Sequence, residues 1–339
     1  MRMYSPADAD AGVLEGKTIA IAGYGNQGRP QALNLRDSGC RVIVGARSGR
    51  EGWKRARADG FEVLPVAEAA RRADILMMLL PDEVQGDVFR DEISGALRAG
   101  AAICFAHGFA VAFGEIDDTD HDVILVAPKA QGGRLREAFV SGGGVPCLVG
   151  VARDGTGRAL ALALGVALAL GCLREGAYGT TFREEAVSDL FGEQAVLCGG
   201  VPAIAKRAFD LLVRKGYSPE VAYFECVQEL KIIVDLVAER GFAGMRDVTS
   251  GTAAYGSLAF GERVVGSETE AAMEKLFDRI ESGEFARLWL DEKRAGGAAF
   301  RRLRDEERNL AVEKAGAAIR GRSHGGAERS ARTKERNDA

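Results

Sequence analysis

The sequence predicts an α/β domain followed by an all-helical domain. Three observations carry this prediction. Short apolar runs alternate with helical stretches in the first half, β-type runs nearly vanish after Thr181, and 339 residues suit two domains. Continuous apolar strands separated by helices indicate a parallel sheet that is covered on both faces. We place the domains at residues 1–181 and 182–320, with a disordered tail at 321–339.

The elements follow from these patterns in chain order. Strands are predicted at the short apolar runs 18–22, 41–45, 62–64, 75–80, 103–106 and 123–127. Helices are predicted between them at 31–38, 53–59 and 67–72. The second half is expected to hold helices at 186–198, 204–215, 219–240 and 268–282.

Composition excludes several classes of protein. The net charge of −4 comes from 45 basic and 49 acidic residues, whereas nucleic-acid binders more often carry a basic excess. The apolar run at 159–170 is too short to cross a bilayer, which takes about 20 residues. The N-terminal segment has no apolar signal core. We therefore expect a cytoplasmic protein with neither a nucleic-acid nor a membrane partner.

Cysteine and histidine usage limits the metal chemistry. The six cysteines form no CxxC pair, so buried free thiols are expected rather than a zinc site. With only three histidines, a His-rich metal site is excluded. A divalent ion would have to use carboxylates, which favours a hard cation such as Mg²⁺.

A glycine-rich motif, GYGNQG at residues 23–28, directly follows the first long predicted strand and opens a helix. This GxGxxG context is the one that a dinucleotide site requires. Gly25 would let the backbone approach a pyrophosphate, and the helix N-terminus would favour its charge. The motif predicts a Rossmann-like cofactor site, and the alternative is a structural glycine turn.

The residues after the second strand favour NADPH. NAD enzymes normally place an acidic residue there to bind the ribose hydroxyls, but no acid occurs before Glu51. Arg47 and Arg50 could instead hold a 2′-phosphate, with Ser48 as a hydrogen-bond donor. The alternative is that both arginines are simply solvated.

Two acid pairs in the helical half suggest a metal site. Asp189 and Glu193 are four residues apart, as are Glu225 and Glu229, so each pair shares one helix face. Both pairs lie among apolar residues, where we expect them to be buried and to need a partner charge or a metal. The alternative is two solvated helix faces.

Two further polar residues follow predicted strands. His107 and Lys129 would stand at the carboxyl-terminal edge of the sheet, where open α/β sheets bind ligands. A purely structural role is the alternative for each.

Long segments in order resemble short-form, class I ketol-acid reductoisomerases over roughly residues 4–290. They are GYGNQGRPQALNLRDSG (23–39), PDEVQ (81–85), FAHGF (105–109), APK (127–129), DLFGEQAVLCGG (189–200) and PEVAYFECVQELKIIVDL (219–236). The resemblance implies a Rossmann-like NADP-binding domain, a knotted helical domain, and a homodimer or higher homo-oligomer with shared active sites. It also implies Mg²⁺-dependent alkyl migration in a 2-acyl-2-hydroxy acid, then NADPH reduction to a 2,3-dihydroxy acid in branched-chain amino-acid biosynthesis.

The resemblance also implies roles for individual residues. Two Mg²⁺ ions would be bound by Asp189 and Glu193 of one chain and by Glu225 and Glu229 of a second copy. His107 would act near the nicotinamide, and Lys129 and Glu229 would take part in proton transfer. Ser250 would contact the substrate carboxylate. The implied cofactor-binding residues are Gly23, Tyr24, Gly25, Asn26, Gln27, Gly28, Arg47, Ser48, Arg50, Asp82, Glu83, Val84, Gln85 and Gly132.

Some positions depart from the family pattern. Arg29, Ala112 and Gly133 each stand where the family usually has histidine, and Ala254 replaces a glutamate. These changes also suit a divergent paralogue in a specialised, natural-product pathway with a different 2-keto or 2-acyl-2-hydroxy acid. The sequence further allows a simple NADP-dependent reductase and, more remotely, a non-catalytic NADP-binding protein.

Overall fold

The computed structural model describes residues 1–321, which fall into two compact units. The first unit, Met1–Asp189, contains the sheet, and the second begins at Leu190 and is helical. The predicted order of an α/β domain followed by a helical domain is confirmed. The boundary after Thr181 and the knot stay predictions, and residues 322–339 of the expected tail lie outside the described residues.

Nine strands form one sheet in the first unit, in the order β1-β9-β8-β7-β6-β5-β2-β3-β4. They are β1 (Met3–Tyr4), β2 (Thr18–Ala22), β3 (Arg41–Gly45), β4 (Glu62–Leu64), β5 (Ile75–Met78), β6 (Ala102–Phe105), β7 (Asp122–Pro128), β8 (Cys147–Arg153) and β9 (Ala177–Gly179).

The sheet is parallel over its predicted strands and mixed beyond them. All neighbours from β7 to β4 are parallel, but β8 pairs antiparallel with β7, and β1 pairs antiparallel with β9. The expectation of a parallel sheet is therefore wrong at this end. Strands β1, β8 and β9 were not predicted, because two of them span only two or three residues and β8 ends in exposed residues.

Helices connect and cover the strands. The first unit has α1 (Gly28–Asp37), α2 (Glu51–Ala58), α3 (Val66–Arg72), α4 (Asp82–Val88), α5 (Phe109–Ala112), α6 (Gly132–Val140), α7 (Ala159–Ala169) and all but the last two residues of α8 (Phe182–Phe191). Short 3₁₀ turns lie at Pro6–Asp8, Ala11–Leu14 and Cys172–Arg174, and a π-helical turn at Phe89–Ile93.

The second unit, as far as residue 321, is built of helices alone. They are α9 (Gly200–Arg214), α10 (Pro219–Tyr223), α11 (Leu230–Val248), α12 (Gly251–Val264), α13 (Ser267–Glu281), α14 (Glu284–Arg294) and α15 (Ala298–Arg308), followed by helical residues 311–321. Two π-helical turns, Gly192–Leu197 and Phe224–Gln228, interrupt this series. No helix of the described residues is long and apolar enough to cross a membrane.

The core of the first unit consists of two apolar layers, one on each face of the sheet. Ile19 and Ile21 of β2 belong to one layer and Ala20 and Ala22 to the other, as the alternation of a strand requires. Strands β2, β5, β6 and β7 are buried along their whole lengths. A rigid set of parallel strands therefore presents its carboxyl ends at one edge, where the polar residues described below are found.

The cysteines follow the expectation in part. Cys104, Cys147 and Cys172 are buried free thiols, and Cys40 and Cys226 are half-buried. The expectation is wrong for Cys198, which is exposed directly after the π-helical turn Gly192–Leu197.

Candidate active site

A cluster of charged side chains lies at the carboxyl ends of β6 and β7. Lys129, which follows β7, donates from Nζ to Glu185 Oε1 at 2.7 Å and to Asp189 Oδ1 at 2.8 Å. His107, which follows β6, donates from Nδ1 to Glu185 Oε2 at 3.0 Å and lies 3.7 Å from Asp189 Oδ2. Helix α8 supplies both carboxylates one turn apart. The structure thus brings together three predicted residues and one unpredicted residue.

Glu185 is the member of the cluster that was not predicted. Its side chain is 1% exposed, and Oε2 also accepts a hydrogen bond from the Gly108 backbone N–H at 2.7 Å. The Glu185 carboxylate therefore positions both His107 and Lys129 and also binds the loop after β6. The available signal was its position, four residues before Asp189, which itself precedes Glu193 by four. The three acids form a series at a spacing of four residues, of which a search for pairs finds only the second half.

The charges in the cluster shift one another's protonation. Burial alone would raise the pKa of Glu185, but the hydrogen bonds and charges of His107 and Lys129 lower this pKa to about 2. Burial alone would lower the pKa of His107, but Glu185, Asp82 and Asp189 outweigh it and raise the pKa to about 9. The same carboxylates raise the pKa of Lys129. At neutral pH both cations and Glu185 are charged.

Asp82 extends this cluster toward the end of β5. Burial is the main cause that raises the pKa of Asp82 to about 6. The charge of His107 lowers this pKa, and nearby carboxylates raise it further. Asp82 begins α4, and its Oδ1 accepts a hydrogen bond from Gln85 Nε2 at 3.1 Å. The buried Gln85 Oε1 has no hydrogen-bond partner among the described residues. A buried, unpaired acceptor at this edge fits a ligand that donates a hydrogen bond.

The cluster offers metal-type ligands but already contains a cation. Ligand atoms of His107, Glu185 and Asp189 all lie within 4.8 Å of one another. Glu185 is occupied by three donors, so Asp189 is the better candidate for an incoming ion. Carboxylate oxygens suit a hard cation such as Mg²⁺. The carboxylate of Asp189 fits such an ion, and Lys129 donates a hydrogen bond to it.

The expectation that all four predicted metal ligands are buried is wrong. Asp189 is half-buried, whereas Glu193, Glu225 and Glu229 are exposed. Apolar neighbours that suggested burial, such as Val196 and Phe224, are exposed themselves. Other apolar neighbours, Leu190, Ala195 and Tyr223, are buried, so only part of the apolar setting is an uncovered helix surface.

Both acid pairs coincide with local changes in helix geometry. The π-helical turn Gly192–Leu197 contains Glu193, and the turn Phe224–Gln228 contains Glu225 and ends just before Glu229. π-Helical turns inside helices are frequent at functional sites, because they redirect side chains. This geometry supports a role for the pairs, although their use as metal ligands stays a prediction.

Packing requires two glycines of the glycine-rich loop and leaves the third facing open space. A Cβ on Gly23 would lie 2.7 Å from Leu79 O, and one on Gly28 would lie 2.0 Å from Gly23 O, so packing requires both glycines. A Cβ on Gly25 would meet no atom within 4 Å. Gly25 faces open space at the N-terminus of the ten-residue helix α1, a geometry suited to a pyrophosphate.

The N-terminus of α6 closes tightly on this loop. A Cβ on Gly132 would lie 1.8 Å from Asn26 O, and Gln27 Nε2 donates to Ala130 O at 3.1 Å. These contacts explain Gly132 by packing. Its predicted contact with the cofactor stays a prediction.

The remaining predicted residues are mostly exposed. Arg47, Ser48 and Arg50 lie between β3 and α2, and neither guanidinium group forms a hydrogen bond or ion pair with another residue in the described 1–321 range. Ser250 lies in the second unit, where its Oγ caps α12 by accepting from Ala253 N at 3.2 Å. Glu83 and Val84 are half-buried in the first turn of α4.

Comparisons with known proteins identify the family of this chain. Residues 13–176 match the family model described as acetohydroxy acid isomeroreductase, NADPH-binding domain, and residues 182–324 match the ketol-acid reductoisomerase C-terminal domain. The chain is similar to an NADH-preferring ketol-acid reductoisomerase from an uncultured archean, with 43% identity and a TM-score of 0.92 over 95% of this chain and 99% of that one.

A more distant match shows the fold alone. A semialdehyde dehydrogenase NAD-binding protein from Cupriavidus necator is 21% identical, with a TM-score of 0.60 over 80% of this chain and 98% of that one.

The two family models and the similar archeal structure cover both units. The chain therefore belongs to the ketol-acid reductoisomerase family and is an oxidoreductase and isomerase that uses a nicotinamide cofactor.

Proposed function

We propose that the enzyme converts a 2-acyl-2-hydroxy acid of the 2-acetolactate type into a 2,3-dihydroxy acid, by Mg²⁺-dependent alkyl migration and NADPH reduction. The observation that carries this proposal is the cluster of Lys129, His107, Glu185 and Asp189. It combines a protonated amine, an imidazolium and a carboxylate suited to Mg²⁺ at one sheet edge. The proposed setting is branched-chain amino-acid biosynthesis in the cytoplasm.

Asp189 and Glu193, with Glu225 and Glu229 of a second copy, would hold two Mg²⁺ ions. When bound, Mg²⁺ supplies Lewis acidity that polarises the ketone and hydroxyl oxygens of the substrate. Lys129 balances the charge of Asp189 and can rotate its ammonium toward a substrate oxygen, since Nζ carries three donors. Glu193, Glu225 and Glu229 are exposed, and Asp189 is half-buried.

Lys129 and Glu229 are the residues that we propose for proton transfer. Lys129, with its raised pKa, keeps its proton on Nζ and can share it with a substrate oxygen. Glu229 would accept the proton of the substrate hydroxyl. His107 is oriented by Glu185 and would stabilise negative charge near the nicotinamide. Ser250 would donate a hydrogen bond to the substrate carboxylate.

The cofactor preference is proposed to be NADPH. The unpaired guanidinium groups of Arg47 and Arg50 can bind a 2′-phosphate with charge-assisted hydrogen bonds. NADH is the second candidate, because the similar archeal enzyme is described as NADH-preferring. The cofactor occupies the loop around Gly25 in either case.

The deciding experiment follows oxidation of NADPH with racemic 2-acetolactate and Mg²⁺, with and without EDTA. We expect turnover that EDTA abolishes, and no turnover by Glu229→Gln. EDTA-resistant reduction of 2-keto acids would favour a simple reductase. Preference for another 2-acyl-2-hydroxy acid would favour a specialised paralogue. Cofactor binding without turnover of any tested acid would contradict an enzymatic role.

The cofactor preference has its own test. We expect kcat/KM with NADPH to exceed that with NADH. The double variant Arg47→Ala/Arg50→Ala should lose about a hundredfold or more of kcat/KM with NADPH alone, since each charged hydrogen bond contributes about 1.5–3 kcal/mol. Arg57→Ala, on the exposed surface of α2, is the matched control. Equal losses with both cofactors would contradict recognition of a 2′-phosphate.

A further inference from the structure

A second hydrogen-bonded network lies outside the reaction cluster, between α1 and α2. Asp59 caps the C-terminal end of α2. Its carboxylate accepts from Arg29 Nε at 2.7 Å and Nη2 at 3.0 Å, and from Tyr24 Oη at 2.8 Å. Three donors from the glycine-rich loop and the first turn of α1 thus converge on one carboxylate.

The backbone of the same turn is fixed to α1. Arg36 Nη1 donates to Asp59 O at 2.7 Å, and its guanidinium lies over the Phe61 ring, 4.9 Å from the centroid. Arg29 and Arg36 are about two turns apart and share one face of α1. The turn that leads from α2 to β4 is therefore held along that face at two points.

Tyr24 contacts α2 at both of its ends. Its side chain is 3% exposed, its ring packs edge-on against Phe61 at 5.8 Å, and its hydroxyl is bound to Asp59 at the C-terminal end of α2. At the N-terminal end, a Cβ on Gly52 would lie 3.4 Å from Tyr24 O. The Tyr24 hydroxyl is therefore committed to the protein and is not a free donor for a cofactor.

These contacts join the two parts of the dinucleotide site. Tyr24 precedes Gly25, which faces the proposed pyrophosphate position, whereas α2 follows the loop of Arg47 and Arg50. Fixing Tyr24 against α2 sets the distance between these two parts. The network also engages the Arg29 guanidinium at the start of α1, so this charge is already paired.

We propose that Asp59 is a positioning residue for the nicotinamide cofactor, acting through Tyr24 and Arg29 to fix the glycine-rich loop against α2. The proposal rests on the proposed function only in that the cofactor binds at this loop. Asp59 itself does not touch the cofactor. Its substitution therefore changes cofactor affinity and leaves the chemical step unchanged.

The test measures KM and kcat for NADPH and Kd from cofactor fluorescence. For Asp59→Asn we expect KM and Kd to rise about three- to tenfold, as for loss of a charge-assisted hydrogen bond, with kcat within about twofold. Tyr24→Phe keeps the packed ring, so we expect a smaller rise in KM and Kd. Asp59→Glu should restore part of the affinity.

The matched control breaks a comparable ion pair elsewhere in the first unit. Arg72 holds Glu62 through two hydrogen bonds of 2.6 and 2.9 Å, so Glu62→Gln removes a similar contact. We expect the control to leave Kd unchanged. In the double variant Arg29→Ala/Asp59→Asn, Kd should rise no more than in the single variant with the larger rise, because both residues act in one network.

The outcomes separate this proposal from the proposed function. If the wild-type chain binds cofactor and Asp59→Asn binds it equally well, the proposal is overturned and the proposed function stands. The proposal would also be overturned by a rise in Kd in Glu62→Gln equal to that in Asp59→Asn, or by additive rises in Kd in the double variant. A fall in kcat with unchanged Kd in Asp59→Asn would overturn it as well. If the wild-type chain binds neither NADPH nor NADH, both proposals fail together. Thermal unfolding of each variant shows whether it is folded.

Discussion

At the scale of single residues, Glu185 decides how the reaction cluster is arranged. Its carboxylate accepts hydrogen bonds from Lys129, His107 and the Gly108 backbone. A neutral side chain of the same shape keeps the packing but removes the charge that orders two cations. The consequence is catalytic, because both cations are proposed to contact the substrate or the cofactor.

We predict that Glu185→Gln lowers kcat by about a hundredfold or more, in line with the usual contribution of positioned proton-transfer groups. Steady-state rates with 2-acetolactate check this prediction. Glu184→Gln is the matched control, because Glu184 is exposed and its carboxylate bonds to Thr180 Oγ1 rather than to the cluster. Similar losses in both variants would show that the effect is not specific to the cluster.

The protonation of His107 gives a second residue-scale prediction. In metal-free enzyme, with EDTA present, we expect His107 to titrate with a pKa of about 9, and Glu185→Gln to move this pKa back toward 6.5. Nitrogen NMR of the three histidines measures it. A pKa near 6.5 in the wild-type chain would contradict the pairing with Glu185.

The sign of the linked stability change follows from this shift. The folded pKa of His107 lies above its unfolded value of 6.5, so the stabilisation is complete below pH 6.5 and is lost as pH rises toward 9. Unfolding of the metal-free chain should become easier across that range. The dependence should be weaker in Glu185→Gln.

At the scale of elements, the contact between α6 and the glycine-rich loop is the most restrictive. A Cβ on Gly132 would lie 1.8 Å from a backbone oxygen, which cannot move as a flexible side chain does. Helix α6 can approach the loop this closely only with glycine at its first position. The position of the cofactor loop therefore depends on a residue about a hundred positions away in the chain.

We predict that Gly132→Ala lowers the free energy of unfolding by about 1–3 kcal/mol, the usual cost of overpacking, and weakens cofactor binding. Gly133→Ala is the matched control, since its Cβ would meet no atom within 4 Å. Thermal unfolding and cofactor titration measure the two effects. Equal stability of both variants would contradict the tight contact.

Sequence patterns predicted the elements with strong local signals. The strands β2, β3 and β4 were predicted with their observed bounds, and GxGxxG predicted the glycine-rich turn between β2 and α1. Strands β1, β8 and β9 were missed, because short or partly exposed strands depend on their pairing more than on their own pattern. Seven helices were missed as well, namely α4, α5, α6, α7, α12, α14 and α15.

The site was predictable to the extent that its residues follow strands or repeat on a helix. His107, Lys129 and Asp189 were found by those rules, and the structure places them together. Glu185 was not found by them, because its role depends on contacts with Lys129 and His107, which precede it in the chain by 56 and 78 positions. The exposure of Glu193, Glu225 and Glu229 depends on tertiary packing, which apolar neighbours in the sequence do not report.

At the scale of the whole molecule, the helical unit exposes many large apolar side chains. Ile232 is 60% exposed and Phe242 is 69% exposed, both on α11. Leu258 and Val264 of α12 are also exposed. Extended apolar surfaces of this kind mark association sites. They support the proposed homodimer, in which Glu225 and Glu229, which lie between α10 and α11, would serve the active site of a second copy.

We predict that the enzyme is at least dimeric, and that Ile232→Lys combined with Phe242→Lys shifts it toward monomer and lowers activity. Light scattering coupled to size-exclusion chromatography measures the mass. Val140→Lys is the control, since Val140 is 67% exposed on α6 of the first unit. A monomeric wild-type chain with full activity would rule out shared active sites.

The convergence of three donors on Glu185 has a consequence for how this enzyme can change under selection. A substitution at Glu185 disturbs a lysine, a histidine and a backbone amide at once. A backbone amide cannot be exchanged by mutation, so no single second-site change restores all three contacts. Suppressor screens that start from Glu185→Gln should therefore return reversion to glutamate far more often than compensation elsewhere. The exposed loop of Arg47 and Arg50 carries no such coupling and can vary one residue at a time.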